Sequence, residues 1–209
     1  LDDAVREPVY DPQIKSISPF ERLGIREITD GERIKSDHST ASFMGAMRAA
    51  ADQFALRKVW EIGSGAGLVS VQAGALGAIK LCATDIDPEA VELTKKNGDE
   101  HGFRIQTALA DMFEKVPWRE KFDHILTILP QKPCTAGSLP LANDGGSEGT
   151  KLLLPLIDQA KEWISDSGHL FLFLHSLAHP EALLRLQDQF EVKILSIKNR
   201  IFAREEYPD

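Results

Sequence analysis

The feature that most constrains this chain is an apolar run that bends through glycines into a helical pattern. Residues 58–62 read Lys-Val-Trp-Glu-Ile, and glycines follow at positions 63, 65 and 67. Apolar residues then recur with helical spacing from position 68. Glycines between a strand and a helix N-terminus let the backbone approach a ligand closely, because they carry no side chain and the helix start presents free N–H groups. The segment predicts a nucleotide-like cofactor site.

Acidic residues at the ends of two predicted strands narrow the choice of cofactor. Glu61 stands just before the bend, and a second predicted strand, 80–84, is followed by Asp85. An acid about twenty residues past the glycines can reach ribose hydroxyls. A dinucleotide fingerprint, G-x-G-x-x-G, needs glycine where this chain has Leu68. Because the Glu61 carboxylate repels a diphosphate, the pattern favours a cationic or zwitterionic cofactor.

On these residues the chain resembles the class I S-adenosylmethionine-dependent methyltransferases. Within that class it is similar to the methyltransferase small-domain group of release-factor glutamine and ribosomal-protein methyltransferases, over roughly residues 57–207. The likeness implies S-adenosylmethionine as cofactor and an α/β, Rossmann-like fold. Its sheet is expected to be seven-stranded and mostly parallel with one antiparallel strand, with helices on both faces. The implied cofactor-binding residues are Glu61, Gly63, Gly65, Gly67, Asp85, Ile86, Asp111 and Met112.

Two of these residues have specific roles in the resemblance. Asp111, which follows a predicted third strand at 103–109, would accept a hydrogen bond from the adenine amino group, and Ile86 would pack against the ring. A helix N-cap is the alternative role for Asp111. Asp87 and Pro88 predict the cap and the first turn of a helix running to about residue 97.

The family's catalytic motif is altered in this chain. A predicted fourth strand ends in Ile128-Leu129-Pro130-Gln131, where enzymes acting on planar nitrogens carry Asn-Pro-Pro-Tyr, and Pro130 alone matches. The acceptor is therefore expected to be a protein side chain or a small molecule, with no base amino group as target. His38 and Thr40 loosely resemble an entry motif of ribosomal-protein lysine methyltransferases. His38 and Gln131 are the candidate catalytic residues.

The organisation of the chain predicts one domain with an extension. Residues 1–37 are polar and dotted with prolines, which indicates an N-terminal extension or lid, and residues 38–209 form the predicted methyltransferase domain. Further predicted elements are a helix at 39–54, a long loop at 131–149, a helix at 150–165, a strand at 168–175, a helix at 180–189, and strands at 190–197 and 200–206.

Composition excludes several other classes. The formal net charge of −8 argues against a broad nucleic-acid surface. The two cysteines, Cys82 and Cys134, provide neither a disulfide framework nor metal-ligand spacing, so no metal and a reducing, cytoplasmic compartment are expected. No apolar stretch approaches the roughly 20 residues of a membrane span. Oligomeric state leaves no signal in the sequence.

Three functions stay open on the sequence alone. These are a methyltransferase, a nicotinamide-dependent oxidoreductase, and a relative of the methyltransferase fold that binds cofactor without catalysis. Leu68 and Glu61 weigh against the oxidoreductase, whereas the lost Asn and Tyr equivalents keep the non-catalytic relative in view. Methyl transfer from S-adenosylmethionine is the predicted function.

Overall fold

Strands and helices alternate along the chain. A computed structural model describes residues 20, 23–29, 34 and 36–198. The strands in this part are β1 (Lys58–Ile62), β2 (Lys80–Asp85), β3 (Ile105–Leu109), β4 (Phe122–Thr127) and β5 (Ile164–Leu172). The helices are α1 (His38–Ala49), α2 (Leu68–Ala75), α3 (Pro88–Glu100), α4 (Leu153–Trp163) and α5 (Glu181–Gln189). A 3-10 turn, Ala51–Gln53, joins α1 to β1.

The five described strands form one parallel sheet in the order β3-β2-β1-β4-β5. The chain order reverses between β1 and β4, which are neighbours in the sheet. In open α/β sheets such a reversal leaves a crevice at the carboxyl ends of the strands, and ligands bind there. The predicted Rossmann-like α/β fold with a parallel sheet is confirmed, and its topology places the glycine bend beside this crevice.

The core lies on both faces of the sheet. Successive residues of a strand point to opposite faces, and β1 accordingly sends Val59 into one apolar cluster and Trp60 into another. The first cluster contains Met44 of α1 and Val69 of α2, and the second contains Leu156 of α4. Helices therefore cover both faces, as predicted, and the site is left at the edge of the sheet.

Part of the N-terminal region belongs to the core. Phe20 and Ile25 are buried in the same cluster as Met44 and Met47 of α1. The described portion of residues 1–37 thus packs on the sheet's helices, while the boundary expected at residue 37 stays a prediction. Among the described residues, no helix combines the length and the apolar character that crossing a membrane requires.

The structure does not contain the strand predicted at 190–197. These residues form no strand, and the alternating side chains of Val192 and Ile194 are exposed. Apolar alternation supplies β-propensity, but a strand also needs a neighbouring ladder for its N–H and C=O groups. The predicted hairpin partner, 200–206, lies outside the described residues. The described part of the chain therefore contains five strands, where seven, one of them antiparallel, were expected of the whole.

Candidate cofactor-binding site

The glycine loop, defined as residues 63–67, turns the chain sharply from β1 into α2. Gly63, Gly65 and Gly67 all have positive φ, at 73°, 52° and 75°, in the left-handed region that glycine enters without steric cost. The N–H groups of Gly63 and Ser64 donate to the Thr84 carbonyl at 2.9 and 3.0 Å. The loop is thereby attached to the end of β2.

Gly63 and Gly67 are closely packed by neighbouring side chains, whereas Gly65 is not. A Cβ at Gly67 would lie 2.7 Å from Cγ2 and 2.8 Å from Cα of Thr94, and one at Gly63 would lie 3.1 Å from Cδ2 of Leu129. A Cβ at Gly65 would meet nothing within 4 Å. Gly67 is consequently required by the close approach of α2 to α3, whereas Gly65 leaves its backbone open to a ligand.

Asp85 connects the end of β2 to the loop. Its Oδ2 accepts the Gly65 N–H at 2.8 Å, and its Oδ1 accepts the Asp87 N–H at 2.9 Å. Burial raises the pKa of the carboxyl group, and the hydrogen bonds from Asp87 and Gly65 partly offset that rise. Because a carboxylate has about four lone-pair sites, both oxygens keep acceptor capacity for further donors. Asp87 caps α3 by accepting the Glu89 N–H at 2.9 Å, as the sequence predicted.

Glu61 lies behind the loop. Its side chain is 4% exposed, and its Oε2 accepts both the N–H and the hydroxyl of Ser70, at 2.9 and 2.5 Å. Burial raises the pKa of Glu61 to about 8, against the lowering effect of the Ser70 bonds. Glu61 therefore fastens β1 to the first turn of α2, and its burial favours the protonated carboxyl group. A nearby cation would favour its ionised form.

Two residues of α3 that sequence reasoning missed hold the loop from the other side. The Thr94 hydroxyl has two acceptors for its proton. Its oxygen lies 2.8 Å from Ser64 Oγ and 3.1 Å from the Gly65 carbonyl oxygen. Asn97 donates from Nδ2 to the Ala66 carbonyl at 2.9 Å. Both side chains are fully buried on the face of α3 that also buries Leu93. Polar residues three apart on an apolar helix face are the signal that would have identified them.

The residues expected to contact adenine come together at the ends of β2 and β3. The Ala110 N–H donates to the Asp85 carbonyl at 3.0 Å, which joins the two strand ends. Beyond that bond, Ile86 is 52% exposed, Asp111 is exposed and Met112 is half-buried. The Asp111 carbonyl accepts the Glu114 N–H in a tight turn. The arrangement leaves apolar surface and an accessible carboxylate on one side of the crevice.

Gln131, a candidate catalytic residue, ties the ends of β4 and β5 together. Its Nε2 donates to the carbonyls of Phe173 and Leu129 at 2.7 and 3.2 Å, and its Oε1 accepts the His175 N–H at 2.7 Å. The side chain is 5% exposed. Its amide is therefore already engaged by the backbone, which is the geometry of a structural brace.

His38, the other candidate, lies elsewhere. It is the exposed first residue of α1, beside Asp37, which caps the helix by accepting the N–H groups of Ser39 and Thr40. His38 lines a cavity of about 460 Å³ together with Leu23, other residues of α1, and Leu195, Ser196 and Lys198. None of the expected cofactor residues lines this cavity, so the structure does not bring His38 and Gln131 together there.

Three side chains of the kinds that bind metal ions lie close together between the loop at 131–149 and α5. Glu148, His179 and Glu181 place one potential ligand atom each within 4.8 Å of the others. Glu181 is already paired with Arg185 at 3.3 Å, and His179 Nδ1 accepts the Glu181 N–H. The three residues lie toward the surface, where acidic groups commonly gather without a metal, and we assign them no metal.

The comparisons with known proteins identify the family. Residues 33–202 match the family described as Methyltransferase small domain. The chain belongs to this family. A relative in Methanocaldococcus jannaschii that bears the provisional name protein N5-glutamine methyltransferase is 31% identical over 157 residues, covering 73% of this chain and 76% of its own. The ribosomal protein L11 methyltransferase of Acinetobacter baumannii is 32% identical over 103 residues, 48% of this chain and 34% of that protein.

Solved structures agree with the fold. The ribosomal protein L11 methylase of Lactobacillus delbrueckii subsp. bulgaricus has a TM-score of 0.58 at 23% identity, covering 74% of this chain and 70% of that one. The 16S rRNA N2 G1207 methyltransferase of T. Thermophilus, solved with AdoMet and guanosine, has a TM-score of 0.61 at 19% identity, covering 80% and 42%. Family membership confirms the predicted enzyme class, an S-adenosylmethionine-dependent methyltransferase.

Proposed function

We propose that this protein transfers a methyl group from S-adenosylmethionine to a protein side chain. The observation that carries the proposal is the left-handed glycine loop, in which Gly65 faces open space and is fixed by its N–H bond to Asp85. The residues present fit the cofactor, because an open backbone, an acid with spare lone pairs and an exposed Ile86 adjoin at one edge of the sheet.

Each predicted cofactor residue has a role in this proposal. Gly63, Gly65 and Gly67 shape the bend, and Asp85 receives the ribose hydroxyls. Asp111 accepts from the adenine amino group, with Ile86 and Met112 against the ring. Glu61 is buried behind the loop, where the cationic end of the bound cofactor would favour its ionised form.

The protein's contribution to the reaction is positional. S-adenosylmethionine supplies an already activated methyl group. Aligning the acceptor with that group and limiting water supply much of the acceleration. A strong general base is therefore not required, which agrees with a Gln131 side chain that is bound to backbone at three points.

A protein acceptor is favoured over the alternatives by the names of the relatives and by features of this chain. The relatives at 31% and 32% identity have names that specify protein substrates. In this chain, Ile128 and Gln131 replace the residues that grip a planar NH2, which weighs against a base amino group and equally against a side-chain amide as acceptor. The net charge of −8 disfavours a nucleic-acid acceptor. The long loop at 131–149 is proposed to bind this acceptor. A small-molecule acceptor is the second candidate.

The finer predictions of fold and domains form part of this proposal. The alternation of apolar residues at Val192 and Ile194 in the sequence is the ground for proposing a seven-stranded sheet in which the C-terminal residues add two strands, one antiparallel, although residues 190–197 form no strand in this structure. Residues 1–37 are proposed as an extension or lid, with 38–209 as the methyltransferase domain. Slow amide exchange at 192 and 194 in the full chain would support the added strands, and free exchange would contradict them.

Incorporation of tritiated methyl groups into fractions of a cell extract tests the acceptor. We expect label in the protein fraction, and its loss with Gly65→Arg, which fills the open space at the loop. Gly102→Arg is the matched control, because Gly102 also has positive φ, at 74°, and open space around it. That variant should retain the label. Label chiefly in RNA or DNA, or none in any fraction, would contradict the proposal.

A further inference from the structure

Asn97 joins two segments that are far apart in the sequence. Its Nδ2 donates to the carbonyls of Ala66 in the glycine loop and Ile28 in the N-terminal region, at 2.9 and 3.0 Å. Its Oδ1 accepts the Ile28 N–H at 2.8 Å. One fully buried amide therefore pairs with both backbone groups of Ile28 and with the loop.

One turn further along α3, His101 holds the same N-terminal segment. Its Nε2 accepts the Arg26 N–H at 3.1 Å, and its Nδ1 lies 2.8 Å from the Asn97 carbonyl. Since Nε2 accepts, Nδ1 carries the proton of the neutral ring and donates to Asn97. His101 thus docks residues 26–28 on α3 without reaching the glycine loop, whereas Asn97 contacts both.

The burial of Asn97 makes its contacts interdependent. A buried amide left without partners carries the full cost of its desolvation. When residues 26–28 leave α3, Asn97 Oδ1 loses its donor. The rotamer that places Nδ2 against the Ala66 carbonyl is then less strongly stabilised. When the loop shifts, Nδ2 loses one acceptor. Each segment therefore stabilises the other through a single side chain.

We infer that Asn97 is a positioning residue that couples the docking of residues 23–29 on α3 to the cofactor-binding conformation of the glycine loop. The inference rests on the proposed placement of S-adenosylmethionine at that loop. Coupling between two sites is reciprocal, so cofactor should tighten the docked segment by the same factor by which docking tightens cofactor binding.

Amide hydrogen exchange with and without S-adenosylhomocysteine tests this coupling. In the wild-type protein we expect the cofactor product to slow exchange at Ile25 and Ile28 by about tenfold, within the range of roughly 5- to 150-fold typical of coupled sites. Exchange at Phe190, whose N–H donates to Leu186 in α5, is the internal reference and should stay unchanged. Asn97→Ala removes the acceptor of the Ile28 N–H itself, so this variant is read at Ile25, whose N–H donates to the Phe20 carbonyl at 2.9 Å. There the slowing should fall to less than about twofold.

His101→Ala is the matched variant, because it loosens residues 26–28 and spares the bond between Asn97 and the loop. Its basal exchange at Ile28 should be faster, yet the slowing by S-adenosylhomocysteine should persist. Equal loss of the slowing in both variants would overturn the assignment to Asn97. Should Asn97→Ala fail to fold, the wild-type comparison still decides whether the two segments are coupled.

The Gly65 amide separates this inference from the proposed function. Protection at Gly65 with no change at Ile28 would overturn the coupling and leave the cofactor site intact. No protection at either position would overturn both. Protection at Gly65, Ile25 and Ile28 in wild type, with protection at Gly65 kept and protection at Ile25 lost in Asn97→Ala, supports the coupling.

Discussion

Residues around the glycine loop divide into those that hold it and those that face the crevice. Thr94, Asn97 and Ser70 are buried, and their hydrogen bonds end on the loop or on Glu61. Gly65 and Ile86 lie open at the crevice. Asp85 does both, because its oxygens accept two backbone N–H groups and keep lone pairs for a ligand. Single substitutions should therefore separate stability from cofactor affinity.

Glu61 gives the cofactor-free protein a characteristic pH dependence. Burial raises its pKa from 4.5 to about 8, so between these values the folded state binds a proton that the unfolded state has lost. The stabilisation is fully present below pH 4.5 and is lost as the pH rises toward 8. The slope contributed by this group is at most about 1.4 kcal/mol per pH unit.

Denaturant unfolding at several pH values checks this prediction. Glu61→Gln keeps an acceptor for Ser70 and should flatten the decline between pH 5 and 8. Glu92→Gln, which alters an exposed carboxylate of α3, should follow the wild type. A wild-type profile that matches that of Glu61→Gln would show that Glu61 is ionised in the folded protein.

Asp85→Ala should weaken cofactor binding. We expect a loss of roughly 1.5–3 kcal/mol, the scale of hydrogen bonds to a charged group. Asp87→Ala is the neighbouring control, since it removes the cap of α3 and should cost about 1 kcal/mol of stability with little change in affinity. Calorimetric titration with S-adenosylhomocysteine measures both. Unchanged affinity in Asp85→Ala would exclude it as the ribose acid.

At the scale of elements, the sequence predicts the positions of those strands, helices and caps that depend on local residue patterns. The first four strands appear where apolar runs placed them, and the cap at Asp87 is confirmed. The helix expected at 39–54 ends at Ala49 and continues as a 3-10 turn. The fifth strand, expected at 168–175, is observed at Ile164–Leu172. Its pairing with β4 is irregular between Phe122 and His124. The sequence of one strand does not specify the register in which it pairs with its neighbour.

The packing of α2 against α3 predicts different outcomes at two glycines. Gly67→Ala forces a Cβ to within 2.7 Å of Thr94 at a φ of 75°, and we expect a loss of about 2–4 kcal/mol from overpacking and backbone strain. Gly65→Ala meets open space and should cost roughly 1–2 kcal/mol from its positive φ alone. Denaturant unfolding measures the difference. Equal losses would contradict the tight α2–α3 contact.

At the scale of the whole molecule, the topology of the sheet brings the site residues together, and local sequence patterns predict that topology. Alternating strands and helices predicted a parallel sheet, and parallel strands bring Glu61, Asp85 and Asp111 to one edge. Sequence reasoning missed Asn97 and the bracing role of Gln131, because their partners, Ile28 and Phe173, are distant in the chain. The spacing of Asn97 from Thr94 indicates the face of α3 on which it lies, but no periodic signal indicates its distant backbone partner or that of Gln131.

Calorimetric titration with S-adenosylhomocysteine tests the central claim, that the glycine loop binds this cofactor. We predict one-to-one binding by the wild type, loss of binding in Gly65→Arg, and retention in Gly102→Arg, with thermal unfolding showing that both variants are folded. Absence of heat and of any thermal shift with S-adenosylhomocysteine or S-adenosylmethionine, together with a clear response to a nicotinamide dinucleotide, would contradict the account.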